Sequence, residues 1–163
     1  MGTTAAGPAA PRFTCDGGLG GLARWLRAAG YEAESRPGTS GDSLVPLVRG
    51  TGYVLLTCDR RVFLRREVRE GRLPAVLVPS SLTRMEQLAH IMGTLGLTLR
   101  EPRCMACGGP LEAADKDAVR ERIPPRTARW LDEYFVCRQC GRLFWRGTHW
   151  RRIREGLDAA AGV

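Results

Sequence analysis

Two short cysteine motifs in the second half of the chain constrain its fold more than any other feature. They read CMAC at residues 104–107 and CRQC at residues 137–140, and each is followed by glycine. Two such turns direct backbone amides at sulfur and let four thiolates form the tetrahedron that Zn²⁺ favours in structural sites. The segment between the motifs is longer than usual, but only the motifs need to contact the metal. The predicted zinc ligands are Cys104, Cys107, Cys137 and Cys140, with a redox pair or disulfides as the alternatives.

Because cysteines fill all four ligand positions, we expect this zinc ion to be structural and not catalytic. A structural zinc site contributes on the order of 10 kcal/mol to folding. The segment after residue 100 needs this contribution because it has little aliphatic core. We therefore divide the chain into a disordered tail at residues 1–11, an α/β domain at 12–100 and a zinc-ribbon domain at 101–163.

Short apolar runs alternate with helical patterns from residue 12 to residue 100. The strand candidates read RFTC, EAES, YVLLT and AVLVP, and helical patterns cover residues 19–29, 43–48 and 62–70. A capping box of Thr83 and Glu86 opens a further helix that runs through Leu95. Alternation of this kind predicts an α/β fold in which helices cover both faces of a parallel sheet.

The charge of the chain favours a phosphate-bearing partner. The formal net charge is +8, and all of the 25 basic residues except Lys116 are arginines. Arginine suits phosphate recognition, although a coding bias toward arginine explains the ratio equally well. No run approaches the roughly 18 apolar residues of a membrane helix, and the first residues do not resemble a secretory signal. We therefore expect no membrane partner and a cytoplasmic chain, in which cysteines act as ligands, catalysts or packed thiols.

Two acidic residues stand at the ends of predicted strands. Asp16 follows RFTC, and Asp59 follows YVLLTC. In a parallel sheet these ends meet at one edge, and a divalent ion between two carboxylates relieves their repulsion. Oxygen ligands select Mg²⁺ or Mn²⁺, and Asp42 is either a third ligand or a simple helix cap. Cys15 and Cys58, which precede the two strand-end acids, are expected to be packed thiols.

The glycines after Asp16 allow a second interpretation. Gly18, Gly20 and Ala23 satisfy the pattern G-x-G-x-x-A that binds dinucleotides after a strand. The pattern is weak here, because no ribose-binding acid follows about 20 residues later, where the chain reads PGTSG. In the metal-site interpretation, the same glycines let the backbone turn sharply and leave room for a sugar-phosphate chain.

The segment GRLFWRGTHWRRIRE interleaves arginines with aromatic residues. Arginines that contact phosphates and aromatic rings that stack on unpaired bases are typical of single-stranded RNA binding. In the alternative, Phe144 and Trp145 form a small ribbon core and the arginines are a solvated face. Arg24 either contacts phosphate or forms an ion pair. The candidate RNA-binding residues are Arg24, Arg60, Arg142, Trp145, Arg146, His149, Trp150 and Arg151.

Taken together, DGGLGGLARWLRAAGY, LLTCDR, CMACGG and CRQCGRLFWRGTHW resemble the mut-seven C-terminal ribonuclease family. This family joins a PIN-like nuclease domain to a zinc ribbon, and the resemblance runs from about Phe13 to Gly156. It implies metal-dependent RNA cleavage with Asp16, Asp59 and Asp42 as catalytic metal ligands. A PIN-like domain is thus expected at residues 12–100. The expected chemistry is in-line attack of an activated water on a phosphodiester.

The chain departs from the family pattern in two places. Gly21 stands where D-x-x-L-G-[KR]-L-A-R-W has a basic residue, and VLVPSS offers Ser80 and Ser81 where a fourth acid is usual. Either catalysis rests on three carboxylates, or the ribbon supplies an acid such as Asp132 or Glu133. The alternative function is a noncatalytic RNA-binding or ribosome-associated adaptor. The sequence does not indicate an oligomeric state.

Overall fold

A computed structural model describes residues 9–163. The disordered tail predicted at residues 1–11 lies largely outside the described residues. The described chain is an α/β protein that contains a four-stranded parallel sheet and, after it, a three-stranded antiparallel sheet. The predicted α/β class is therefore confirmed. No helix within residues 9–163 combines the length and the apolar character needed to cross a membrane.

The parallel sheet follows the predicted alternation of strands and helices. Its strands are β1 (Arg12–Cys15), β2 (Ala33–Ser35), β3 (Tyr53–Thr57) and β4 (Ala75–Leu77), in the order β2-β1-β3-β4. Its helices are α1 (Gly20–Ala28), α2 (Gly41–Val48), α3 (Arg66–Arg69) and α4 (Arg84–Leu95). The central strand β1 pairs through Phe13 with Ala33 on one side and Val54 on the other. The carboxyl ends of all four strands therefore share one edge.

Apolar side chains bury both faces of this sheet. Successive residues of a strand point to opposite faces. Accordingly, Leu56 packs with Leu22 of α1 and Leu88 of α4, whereas Leu55 packs with Leu44 of α2. All five side chains are fully buried, and each contributes about 1.5–3 kcal/mol by leaving water.

The helical pattern at residues 62–70 forms two short pieces instead of one helix. A 3-10 helix spans Arg60–Leu64, and α3 follows after Arg65, whose backbone is extended. Asp59 starts the first piece early because its carboxylate accepts the backbone N–H of Arg61. The break at Arg65 accompanies its side-chain contact with Asp42.

The second sheet has the form expected of a zinc ribbon. Strands β5 (Leu111–Ala114), β6 (Tyr134–Cys137) and β7 (Leu143–Trp145) pair in this order. A short helix, α5 (Pro125–Ala128), lies in the long connection between β5 and β6. The buried core here consists of Val119, Ile123 and Tyr134, with partly buried neighbours that include Trp145.

The last helix, α6 (Thr148–Ala161), returns to the first half of the chain. Its buried residues Ile153 and Leu157 belong to the same apolar cluster as α1 and α4. Trp25 of α1 is half-buried against this cluster. The division into domains at residues 100–103 stays a prediction, and α6 joins the two parts by packing.

Candidate functional site

The four predicted zinc ligands form one cluster. Their sulfur atoms all lie within 4.8 Å of one another, and the Sγ atoms of Cys107 and Cys137 are 3.4 Å apart. Sulfurs on a tetrahedral zinc are about 3.8 Å apart, since each Zn–S bond is about 2.3 Å. All six cysteines are free thiols in the structure. The donor set and its spacing therefore fit a structural zinc ion, as the sequence predicts.

The environment of Cys137 favours the thiolate that a metal requires. Burial opposes ionisation, but the backbone N–H groups of Cys140 and Gln139 and the neighbouring thiols outweigh it, so the pKa of Cys137 falls to about 6. Hydrogen bonds to sulfur stabilise its charged form. A backbone N–H from Gly109 also points at the Sγ of Cys107, at 3.4 Å, but burial and the neighbouring thiols raise the pKa of Cys107 to about 12.

Asp16 lies at the carboxyl edge of the parallel sheet and is nearly buried, with 5% of its surface exposed. Its Oδ1 accepts the backbone N–H of Gly18 at 3.1 Å and so caps the 3-10 turn Gly17–Leu19. Its Oδ2 accepts the hydroxyl of Thr57 at 2.7 Å and the backbone N–H of Cys58 at 2.9 Å. These donors come from the end of β3, so Asp16 is fixed to the neighbouring strand.

Thr57 connects the two strand-end acids. Its hydroxyl donates to Asp16 and also accepts the backbone N–H of Asp59 at 2.9 Å. Gly41, the first residue of α2, approaches this hydroxyl so closely that a Cβ atom there would lie 2.0 Å from Oγ1 of Thr57. A glycine is therefore required where α2 packs over the acids.

Asp42 and Asp59 both pair with arginines. Arg65 contacts Asp42 through two nitrogens, at 2.7 and 2.5 Å, and Arg61 contacts Asp59 in the same way, at 3.0 and 2.9 Å. The hydrogen bond from Arg65 holds the pKa of Asp42 below its usual value, and that from Arg61 does the same for the pKa of Asp59. The backbone of Asp42 also lowers the pKa of Asp59, so the two acids are neighbours.

The interpretation of Asp42 as a simple helix cap does not describe this structure. The residue that caps α2 is Ser40, whose hydroxyl accepts the N–H of Ser43. Asp42 lies in the first turn and faces Arg65 instead. Of the ribbon acids considered as substitutes, Asp132 pairs with Lys116, and Glu133 lies 3.8 Å from Arg146.

The three acids are more widely spaced than the sulfurs. Within residues 9–163, the cysteine cluster is the only group of three or more possible ligand residues whose ligand atoms lie within 4.8 Å of one another. The acids nevertheless offer only oxygen, the donor that Mg²⁺ and Mn²⁺ prefer. Their donor atoms suit such an ion, but in this structure Arg61 occupies the carboxylate of Asp59 and Arg65 that of Asp42.

A cleft of about 720 Å³ separates α1 from the ribbon. Six of the eight candidate RNA-binding residues line it, whereas Arg60 and Arg151 are exposed but do not. The lining candidates are Arg24, Arg142, Trp145, Arg146, His149 and Trp150. Arg27 fixes one wall, because it donates to the carbonyls of Ala33, Met105 and Ala106 and so ties α1 to the first cysteine turn. The cleft therefore has a defined width.

The sequence pattern does not single out Arg84 or Phe135, and it names Phe144 only as a ribbon-core residue in the alternative. Arg84 lies over Gly21, where a Cβ atom would be 2.6 Å from its Nε. The guanidinium of Arg84 thus lies beside the position that lacks the expected basic residue. Phe135 and Phe144 both line the cleft. Only the strand pairing reveals this pair, and no local motif marks Arg84.

The two remaining cysteines are packed thiols, as expected. Cys15 is fully buried in the main core, and burial raises its pKa to about 12. Cys58 is half-buried, and burial raises its pKa as well. Neither thiol is available as a nucleophile, because the reactive form is the thiolate.

The chain is thus an α/β protein of one particular class. It has acids along one edge of a parallel sheet, and a four-cysteine ribbon follows the sheet. A family model described as Mut7-C RNAse domain matches residues 11–157. The chain belongs to this family. No curated protein and no solved structure is similar enough to match the chain.

Proposed function

We propose that this protein is a metal-dependent ribonuclease that hydrolyses RNA phosphodiesters at the edge formed by Asp16, Asp42 and Asp59. The four-cysteine ribbon assists by binding RNA, and its zinc is structural. We place the reaction in the cytoplasm, where cysteine ligands stay reduced. RNA as the substrate follows from membership in a ribonuclease domain family.

The observation that carries this proposal is the linkage of acids from separate strands. One hydroxyl, that of Thr57, touches the carboxylate of Asp16 and the backbone of Asp59. Asp42 adjoins Asp59 from α2. Acids gathered at the carboxyl edge of a parallel sheet lie where such sheets bind their ligands.

Asp16, Asp42 and Asp59 would hold Mg²⁺ or Mn²⁺, which supplies positive charge to the phosphodiester in the transition state. Asp16 contributes a carboxylate whose orientation is already fixed by three hydrogen bonds. Arg61 and Arg65 balance the charge of the other two acids and become free to contact phosphate once they release them. Arg84, at the start of α4, adds positive charge near the first turn of α1.

Cleavage of labelled tRNA and mRNA, with Mn²⁺ or with chelator, tests the proposal. We expect cleavage with Mn²⁺, no cleavage with chelator, and a large loss in Asp16→Asn and Asp59→Asn. Asp158→Asn is the matched control, because Asp158 pairs with Arg154 on the exposed side of α6. Unchanged cleavage by the Asp16→Asn and Asp59→Asn variants, or no cleavage of either RNA by the parent, would sink the proposal.

A noncatalytic RNA-binding adaptor, including one associated with the ribosome, is the second candidate. The pairing of Asp42 and Asp59 with arginines favours it, since those carboxylates are already neutralised. This candidate predicts that the protein binds RNA with unchanged affinity in the Asp16→Asn variant and cuts no RNA under any metal condition.

A further inference from the structure

We propose that Phe135 and Phe144 form a stacking platform for unpaired RNA bases in the cleft between α1 and the ribbon. This inference rests on the proposed function for its ligand, RNA, and adds that the strand is gripped through its bases. It therefore specifies single-stranded RNA as the substrate class. The direction of the ribbon side chains, the charges around the cleft and the size of the cleft all favour such a platform.

The ribbon strands divide their side chains between two faces. Tyr134 and Val136 of β6 pack with Leu143 and Trp145 of β7 in the small ribbon core. The intervening residues, Phe135 and Phe144, are direct cross-strand partners and must point to the opposite face. Phe135 and Phe144 both line the cleft, which Leu143 and Trp145 also reach from the other face.

The two phenylalanine rings have no structural role in the cores of the described chain. Both are half-buried, and neither belongs to any of the three apolar clusters formed within residues 9–163. Side chains directly opposite each other in an antiparallel pair have Cβ atoms about 5 Å apart. Both rings therefore leave the strand pair on the same face, and the flat face of each ring suits stacking on a base.

Positive charge surrounds the two rings. The guanidinium carbon of Arg146 lies 5.1 Å from the centre of the Phe135 ring, and its nearest carboxylate oxygens are 3.8 and 3.9 Å away. Arg24 and Arg142 also line the cleft, and within the described chain neither has a carboxylate oxygen within 4.0 Å. Arg24 and Arg142 are therefore available for phosphates, whereas Arg146 already lies between Glu101 and Glu133.

The size and position of the cleft match a nucleotide strand. Its volume of about 720 Å³ lies in the range of about 300–1,000 Å³ that is usual for ligand pockets. Gly20 lines the cleft and begins α1 directly after the 3-10 turn that Asp16 caps. One end of the cleft therefore lies next to the turn that Asp16 caps. A duplex cannot use the rings, because its base faces are already stacked.

The experiment compares RNA binding by the zinc-loaded parent, Phe135→Leu, Phe144→Leu and the double variant. The probes are a labelled oligoadenylate, the same strand in a duplex with oligouridylate, and an abasic strand of equal length. Mg²⁺ and Mn²⁺ are left out, and a gel confirms that the RNA stays intact. Trp130→Leu is the matched control, because Trp130 is 59% exposed on the ribbon but lies outside the cleft.

We expect each leucine substitution to weaken oligoadenylate binding roughly fivefold or more, as the loss of one base–aromatic stack predicts. Trp130→Leu should bind like the parent. The parent should prefer the single strand to the duplex and to the abasic strand, and the double variant should lose the preference over the abasic strand. Zinc content and circular dichroism check that the variants are folded.

The inference is overturned if the double variant binds oligoadenylate as tightly as the parent, or if the parent binds the abasic strand or the duplex equally well. This failure differs from that of the proposed function. If the parent cleaves RNA but its binding does not depend on the two rings, the ribonuclease proposal stands and the stacking platform is wrong. If binding depends on the rings but no RNA is cleaved, the stacking platform stands and the ribonuclease proposal is wrong.

Discussion

The parallel sheet and the ribbon are stabilised by different means. Around the sheet, leucines such as Leu22, Leu55 and Leu56 are fully buried in two large apolar clusters. In the ribbon, the buried core is limited to Val119, Ile123 and Tyr134, and a four-cysteine cluster lies at the end of the strands. We therefore expect apolar burial alone to fold the first region and metal binding at the four cysteines to be needed for the second.

This difference extends to the candidate functional groups. The acids are held by short hydrogen bonds between neighbouring strands, as with Asp16 and Thr57. The cleft groups of the ribbon depend on a sheet whose own core is small. We therefore expect the ribbon strands to unfold without zinc while the acid edge stays folded, and four experiments test this separation.

The largest effect is expected from zinc removal. A chelator, or Cys137→Ser, should unfold the ribbon because on the order of 10 kcal/mol of metal binding is lost. Hydrogen exchange should show that amides of β6 lose protection while those of β3 keep it. Cys58→Ser is the control, because Cys58 lies outside the cysteine cluster. Ribbon amides that stay protected without zinc would contradict the comparison.

The next experiment tests whether the packing of α6 stabilises the parallel sheet. Leu157→Ala should lower the free energy of unfolding of the sheet region by about 2–5 kcal/mol, because Leu157 is buried in its core. The measurement is urea unfolding followed through the amides of β3. Arg152→Ala, an exposed change on the same helix, should change little. If Leu157→Ala destabilises only the ribbon strands, α6 is a part of the ribbon.

A smaller effect is expected from the hydroxyl that joins the acids. Thr57→Val should cost about 1–3 kcal/mol, since a buried carboxylate loses a donor and the N–H of Asp59 loses an acceptor. The rate of cleavage should fall by a larger factor than the loss of stability explains. Thr57→Ser should restore both the cleavage rate and the free energy of unfolding. Thr14→Val is the matched control, because Thr14 is equally buried but donates to Glu34. Equal cleavage by the two valine variants would refute the positioning role of Thr57.

The smallest effect concerns the exposed pair of Asp42 and Arg65. The pKa of Asp42 is lowered in the folded protein, so the pair stabilises the fold above the unfolded pKa of about 3.9. This stabilisation is lost as pH falls through the lower, folded pKa. The melting temperature of the parent should thus exceed that of Arg65→Gln near neutral pH, and the difference should shrink in acid. Arg66→Gln, which breaks the exposed pair with Glu70, is the control, and a difference independent of pH would contradict the assignment.

Much of the fold could be predicted from local patterns. The runs RFTC and YVLLT form strands, and the capping box of Thr83 and Glu86 opens α4, because strand period and cap chemistry act over a few residues. The pattern at residues 62–70 predicted one continuous helix, and this prediction was wrong. The helix is interrupted at Arg65, whose side chain contacts Asp42, and a local pattern does not show a contact between residues distant in sequence.

The candidate site could be predicted only in part. The cysteine spacing was sufficient to predict the four residues that form the cluster. The predicted strand ends were sufficient to identify Asp16 and Asp59 as candidates. Arg84 could not be found, because it approaches Gly21 from a helix distant in sequence. The same holds for Phe135, since its role depends on which face of the ribbon turns toward α1.

By itself, the sequence determined the α/β alternation, the cysteine cluster and the acids at the strand ends. Spacing and periodicity encode these features, because both depend on the geometry of a single helix, strand or turn. Only the tertiary structure decided that α6 packs on the sheet, that arginines pair with Asp42 and Asp59, and that two phenylalanines face a basic cleft. These features are contacts between separate elements, and such contacts depend on how the whole chain packs.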